Sequence, residues 1–271
     1  KNFSRLCGWI AEQPWPSYLL HQILIPSFVR YFNVDLSECP QKLEDFQTFN
    51  EFFTRPLKPE ARPISKEKNA LICPVDGTIG FFGTITQETL LQAKGKEYIL
   101  TDLLQDSFVA HEYEGGIYLT IYLAPYNYHR IHSMATGSVS RFAYIPGELW
   151  TVSPLGLAFV PRLFARNERW ISYIDTEYGE CALVKVGATV VGRIRTVYHT
   201  TYSNQPGAKI FKAALPTPYP LKAGEELGRF ELGSTVVLLF RKDQVELNSL
   251  ELGQTVRLGE AIGHFHSPES P

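Results

Sequence analysis

Charge of one sign is scarce in this sequence: 26 basic residues stand against 28 acidic ones, for a formal net charge of −2. A chain so balanced has no global field to recruit nucleic acid, and none is expected as a partner. Cysteine is also sparse. Cys7, Cys39, Cys73 and Cys181 are widely spaced and form no C-x-x-C pair, which removes the zinc-ribbon and thioredoxin-like readings. Scattered thiols of this kind predict small buried hydrophobes in a reducing compartment. No run is long enough to span a bilayer, and no stretch reads as a signal peptide. The G-x-S-x-G elbow of the α/β-hydrolases is missing too.

What is present is a 271-residue chain of ordinary globular composition, long enough to bury a sizeable core. Its first fifty residues differ from the rest. Phe3, Leu6 and Ile10 recur at helical spacing, as do Leu19, Leu20, Ile23, Leu24, Phe28, Val29 and Phe32. Pro14, Pro16 and Pro26 are expected to divide this region into short helices. Trp9, Trp15, Tyr18 and Tyr31 lie among the apolar positions, a composition that suits either a membrane interface or packing on the protein body. The region 1–50 is therefore set apart from a β-rich body at 51–271.

In that body Ile117–Leu123 and Val236–Phe240 predict strands, the second fully buried. Trp170–Ile174 and Cys181–Val186 predict a hairpin around Tyr178-Gly179. Prolines at 206, 216, 218 and 220 predict a long loop between Tyr202 and Leu221. A weak repeat joins a basic residue to two glycines: Lys185-Val-Gly187 with Gly192, Lys222-Ala-Gly224 with Gly228, and Arg257-Leu-Gly259 with Gly263. It predicts recurrent hairpin turns. The fold class expected is α+β: a mostly antiparallel β core resembling a barrel-sandwich hybrid, with short N-terminal amphipathic helices.

Three segments carry residues able to do chemistry. Cys73-Pro-Val-Asp76-Gly77 supplies a carboxylate that is also a common turn residue. Tyr126-Asn-Tyr128-His129-Arg130-Ile131-His132 supplies two histidines, with no third metal ligand nearby, so no metal is expected. Leu232-Gly233-Ser234-Thr235 places a hydroxyl at the start of the buried strand. Asp76, His132 and Ser234 are thus candidates for carboxylate, base and nucleophile. Spacing leaves open whether they meet. A serine hydrolase and a non-catalytic hybrid-barrel binding module both remain compatible.

At these residues the chain resembles the pyruvoyl-dependent phosphatidylserine decarboxylases. The likeness runs in order through Thr48-Phe-Asn-Glu-Phe-Phe-Thr-Arg-Pro56, Pro74-Val-Asp-Gly77, Tyr128-His-Arg-Ile-His132, Pro146-Gly-Glu-Leu149, Phe164-Ala-Arg-Asn-Glu-Arg169, Val186-Gly-Ala-Thr-Val190 and Leu232-Gly-Ser-Thr235. The last of these is the most specific. The resemblance implies self-cleavage between Gly233 and Ser234, giving a β chain of residues 1–233 and an α chain of residues 234–271. Ser234 would become a pyruvoyl group that forms a Schiff base with phosphatidylserine, releases CO2 and yields phosphatidylethanolamine. It implies that His132 takes the serine proton while Asp76 orients its ring, that His129 returns a proton to the product, and that Tyr122 contacts substrate. It further implies membrane-facing N-terminal helices, peripheral attachment to the cytoplasmic face of the inner membrane, and a homodimer. Arg162, Arg166 and Arg169 are candidates for lipid phosphates or for salt bridges.

Overall fold

The computed structural model describes residues 2–93, 96–189, 193–231 and 234–267. Helix α1 (Asn2–Glu12) ends before Pro14, as expected from a residue that cannot continue a helix. Pro26 behaves differently. It lies in the first turn of α2 (Ile25–Phe32), and a turn of helix over Leu19–Leu24, closed by Ile25 N on the Leu20 carbonyl, runs directly into α2. The expected break at Pro26 is therefore absent. Thr48 caps α3 (Phe49–Phe53) by accepting from Glu51 N.

Strands follow in order: β1 (Ala70–Ile72), β2 (Gly77–Thr84), β3 (Thr89–Ala93), β4 (Lys96–Ile99), β5 (Ile117–Leu123), β6 (Arg130–His132), β7 (Gly137–Ile145), β8 (Arg169–Thr176) and β9 (Gly179–Val186). After these come β10 (Arg193–Thr196), β11 (Phe211–Leu221), β12 (Glu226–Glu231), β13 (Ser234–Phe240), β14 (Val245–Leu247), β15 (Thr255–Val256) and β16 (Ala261–Phe265). An eight-stranded antiparallel sheet has the order β11-β7-β8-β9-β13-β5-β2-β15, flanked by β1-β16-β14 and β10-β12-β6. The α+β class holds, with open sheets and no closed barrel among the described residues.

Alternation explains how the large sheet is covered. Leu119, Ile121, Leu123, Val236 and Leu238 face Ile131, Leu227 and Phe230 of one small sheet and Ile262 and Phe265 of the other. On the opposite face Tyr118, Val184, Val237 and Leu239 meet the β3–β4 hairpin and the short helices α4 (Leu100–Leu104), α5 (Ser107–His111), α6 (Pro154–Phe159) and α7 (Leu163–Arg166). Of the expected loop between Tyr202 and Leu221, residues 203–210 lie outside any strand, but Phe211–Leu221 form β11. Its prolines are tolerated because β11 is an edge strand and its register to β7 shifts between Ala214 and Tyr219.

The N-terminal helices form their own cluster around Leu20, Ile25, Phe46 and Phe52. Arg5 binds the carbonyls of Asn204 and Gln205 at 3.1 Å each, and Glu12 pairs with Arg193, so α1 is pinned to the body. Leu6, Trp9, Tyr18, Ile23 and Tyr31 nevertheless stay exposed. An apolar cleft of about 660 Å³ opens between Ile10, Trp15, Phe28, Tyr31 and Phe32. Among the described residues no helix is long and apolar enough to cross a membrane.

The body also holds a buried cation. Lys185 in β9 is inaccessible to solvent and donates to Ser172 Oγ at 2.5 Å. Burial lowers its amine to about 7. A lysine depressed in the folded state stabilises the fold above its ordinary value of 10.5 and withdraws that stability as pH falls toward 7. Lys185→Met is therefore expected to raise stability by about 1–4 kcal/mol at pH 7, less at pH 10. Guanidinium denaturation at both pH values checks this, and a loss of stability at pH 7 would contradict it.

Candidate active site

Strand pairing dictates what lies near the Leu-Gly-Ser-Thr segment. Ser234 opens β13 and pairs with Leu123 at the end of β5. β12 ends at Glu231 and its partner β6 starts at Arg130, while Phe230 N donates to the His129 carbonyl at 3.0 Å. The connection from β12 to β13 and the 124–129 connection from β5 to β6 therefore join the same two pairs of strands. His129 thus belongs to the turn that neighbours the start of β13. Gly233 itself lies outside the described residues.

Several polar atoms here are buried with no acceptor or donor. Ser234 is fully buried and its Oγ has no hydrogen-bond partner; Thr235 Oγ1 is in the same condition. His129 is also fully buried. Its Nδ1 lies 2.8 Å from the Asn127 carbonyl, so Nδ1 carries the proton and donates it. Nε2 is left a bare lone pair with no partner. The ring packs on Phe53 of α3, centroids 4.1 Å apart. Burial lowers its pKa to about 3, with the Arg55 charge adding to the effect. Burial thus favours the neutral ring, whose Nε2 is free to accept. Orphaned buried groups of this kind are costly in a folded core and cluster where a reacting group is to be accommodated.

His132 stands further along β6, opposite Glu226. Its Nδ1 donates to the Gly224 carbonyl at 2.8 Å, and Nε2 lies 3.0 Å from the Tyr128 hydroxyl, which donates to it. Burial lowers its pKa. Asp76 does not hold this ring. Its carboxylate is forked by Arg62, with Nε at 2.8 and 3.1 Å and Nη2 at 2.5 Å, and Oδ1 also accepts from Leu258 N at 2.9 Å. Arg62 in turn grips both Glu38 oxygens at 2.8 Å. The orienting role expected of Asp76 toward His132 thus falls, in this geometry, to a backbone carbonyl. His132 Nε2 can accept a further proton only by relay through Tyr128 or after that bond breaks.

The glycine repeat supplies both of these contacts. Gly224 and Gly259 have φ of +80° and +89°, which a side chain would strain. One turn aims the Gly224 carbonyl at His132, and the other presents Leu258 N to Asp76. The repeat reads from sequence as hairpin geometry alone; its part in the site emerges only from the fold. Arg62 is likewise missed, because nothing in its local pattern sets it apart from ordinary surface residues, while Arg55 and Tyr128 lie inside the segments of family likeness but carry no role there.

Tyr122 pairs with Thr235, one position from Ser234, so alternation puts it on the other face of the sheet, against the helical layer. Burial raises its hydroxyl pKa. Arg162 and Arg166 bridge to Asp102 and Glu148. Arg169 is buried and donates to the carbonyls of Asp102, Leu103, Ala165 and Asn167, a brace inside the protein. Among the described residues no group of three or more His, Cys, Asp or Glu is arranged to hold a metal ion.

Burial pulls the Arg62 guanidinium down, but the two carboxylates outweigh it and leave its pKa raised. Asp76→Ala removes one of them from a side chain only 9% exposed and is expected to cost about 3 kcal/mol of stability. An unchanged denaturation midpoint would show that Glu38 alone satisfies Arg62.

The profile of the family described as phosphatidylserine decarboxylase matches residues 49–264. A phosphatidylserine decarboxylase proenzyme of Myxococcus xanthus (strain DK1622) is 43% identical over 263 residues, covering 96% of this chain and 92% of that protein. Proenzymes of the same name from Shewanella putrefaciens and Shewanella frigidimarina are 41% and 44% identical, each covering 98% of this chain and 94% of theirs. Similarity of this extent covers nearly the whole chain, and the chain belongs to the phosphatidylserine decarboxylase family.

Proposed function

We propose that this protein cuts itself at Ser234, converts that residue to a pyruvoyl group, and decarboxylates phosphatidylserine to phosphatidylethanolamine at a membrane surface. The observation that carries the reading is a fully buried, unpartnered Ser234 Oγ at the head of a buried strand, in a chain related throughout its length to decarboxylase proenzymes.

In maturation Ser234 Oγ adds to the Gly233 carbonyl carbon and the peptide C–N bond breaks, leaving an ester. Elimination then breaks the ester Cβ–O bond, releases Gly233 as a carboxylate and leaves a carbon–carbon double bond at residue 234. Tautomerisation and one water release ammonia and leave the pyruvoyl group. His132 takes the serine proton, its tautomer held by the Gly224 carbonyl. Nε2 of His132 is then the accepting atom, and the Tyr128 hydroxyl on it is the relay.

A pyruvoyl group formed from Ser234 would supply a carbonyl able to condense with the lipid amine and to act as electron sink for the pair released as CO2 departs. His129 manages the proton. Its bare Nε2 takes a proton from the incoming ammonium, helped by the lipid carboxylate, whose negative charge favours imidazolium. The same nitrogen then returns that proton to the α-carbon. The buried surroundings of Ser234 keep water out and favour loss of a charged carboxylate as neutral CO2.

The exposed aromatic face and apolar cleft of the N-terminal helices dock on the bilayer. Phe53 links that helical layer to His129. The cytoplasmic side of the inner membrane and a homodimeric state follow from the family resemblance. Vesicles carrying phosphatidylserine labelled in the serine carboxyl test the activity. Labelled CO2 and phosphatidylethanolamine are expected; no release from processed protein would overturn the reading.

A further inference from the structure

Arg55 follows α3 in the chain and is only 3% exposed. One nitrogen, Nη2, donates to the Tyr126 carbonyl at 3.3 Å. Nε and Nη1 are buried and have no acceptor at all. The guanidinium lies over the Phe52 ring, 5.4 Å from its centroid, which fixes its plane. A buried guanidinium with two idle donors is unfavourable unless something supplies oxygens to them. Burial lowers its pKa, in keeping with that lack.

Arg55 lines a cavity of about 200 Å³ beside the His129 loop, together with Arg257, Tyr126 and Tyr128. The carboxylates in the same wall are engaged elsewhere. Glu38 and Asp76 are taken by Arg62, and Asp35 accepts from Ser37 N at 2.8 Å. Arg257 is 59% exposed and stands 3.7 Å from Glu38, so Arg55 is the buried cation of that wall with donors left over. Nε–H and Nη1–H point to different edges of the planar guanidinium, so each is free to take an oxygen of an anion seated in the cavity.

We infer that Arg55 is the receptor for the phosphodiester of the lipid headgroup, an inference that rests on the decarboxylase reading. The substrate carries two anions, and chemistry separates them. Pairing an arginine with the departing carboxylate would stabilise the charge that must vanish as CO2 leaves, and would slow the step. A phosphodiester keeps its charge throughout, so binding it anchors the lipid without opposing the reaction. Position agrees: the cavity is lined by Tyr126, Asn127 and Tyr128 of the loop that starts beside Leu123, the partner of Ser234.

The test uses processed protein, phosphatidylserine vesicles, and two soluble probes, glycerophosphoethanolamine and inorganic phosphate. Arg55→Gln is expected to process itself normally, raise KM for the vesicle lipid about tenfold or more, and change kcat little. Glycerophosphoethanolamine is expected to bind wild type and to lose about tenfold in affinity to the variant, while inorganic phosphate binds both weakly and equally. Arg55→Lys, which keeps the charge but not the planar set of donors, is expected between the two and serves if Arg55→Gln does not fold. Equal KM and equal probe affinity in wild type and variants would overturn the assignment. Inorganic phosphate discriminating as strongly as the diester would reassign Arg55 to free phosphate and overturn the headgroup claim. A fall in kcat with KM unchanged would also overturn it. The probe-binding comparison needs no turnover, so it judges Arg55 even if wild type releases no CO2 and the decarboxylase reading fails.

Discussion

Ser234→Ala is expected to give one uncut chain of 271 residues that releases no CO2. The substitution deletes a single oxygen, and in this structure that oxygen makes no hydrogen bond. Nothing in the fold depends on it. Removing an unsatisfied buried hydroxyl is expected to leave stability unchanged or raised by up to about 1 kcal/mol. The variant thus separates chemistry from folding: its melting temperature holds while maturation and turnover both vanish. Denaturing electrophoresis and CO2 release measure the two losses. A variant that still cuts at this bond would remove Ser234 as the nucleophile. A variant that stays whole yet decarboxylates at the wild-type rate would remove the pyruvoyl group from the mechanism.

The second large effect separates the histidines. His129→Ala is expected to mature normally but to decarboxylate about 10²–10⁴-fold more slowly, the usual worth of a positioned proton-transfer group. His132→Ala is expected to accumulate uncut chain, because it removes the acceptor on Tyr128 and the contact to Gly224 together. Normal turnover by His129→Ala would take that residue out of the reaction. If His129→Ala alone stays uncut, the base of self-cleavage is His129, the histidine that strand register brings beside the start of β13.

His129 also has a pH signature. Its folded pKa, about 3, lies below the ordinary 6.5. Its stabilising contribution is fully present above pH 6.5 and is lost as pH falls toward 3. Wild type should therefore weaken through that window, and His129→Ala should weaken less. The comparison is an equilibrium denaturation series from pH 7 to pH 4. Parallel losses in the two proteins would show that His129 is not buried neutral.

The strands that place the site were legible in the sequence wherever apolar residues ran unbroken: Ile117–Leu123 and Val236–Phe240 fall within β5 and β13. β11 was not, because its prolines signal a loop and only the edge position of the strand makes them tolerable. Asp76, His129, His132 and Ser234 stand out by residue type. Their partners do not. Arg62 is 14 positions from Asp76, Gly224 is 92 from His132, and Leu258 is 182 from Asp76. Contacts over such separations arise from sheet topology, which local periodicity does not encode. The expected Asp76–His132 bond failed for this reason: a triad read along the chain assumes that the carboxylate has no better partner, and Arg62 is one.

The most direct test of the central claim is the intact mass of the purified wild-type protein under denaturing conditions. Two fragments are predicted, one of residues 1–233 and one of residues 234–271. The smaller should be lighter by one ammonia than the same peptide beginning with serine, and resistant to Edman degradation. A single mass for the whole chain, or a smaller fragment with an intact N-terminal serine, would contradict the claim that Ser234 becomes the cofactor.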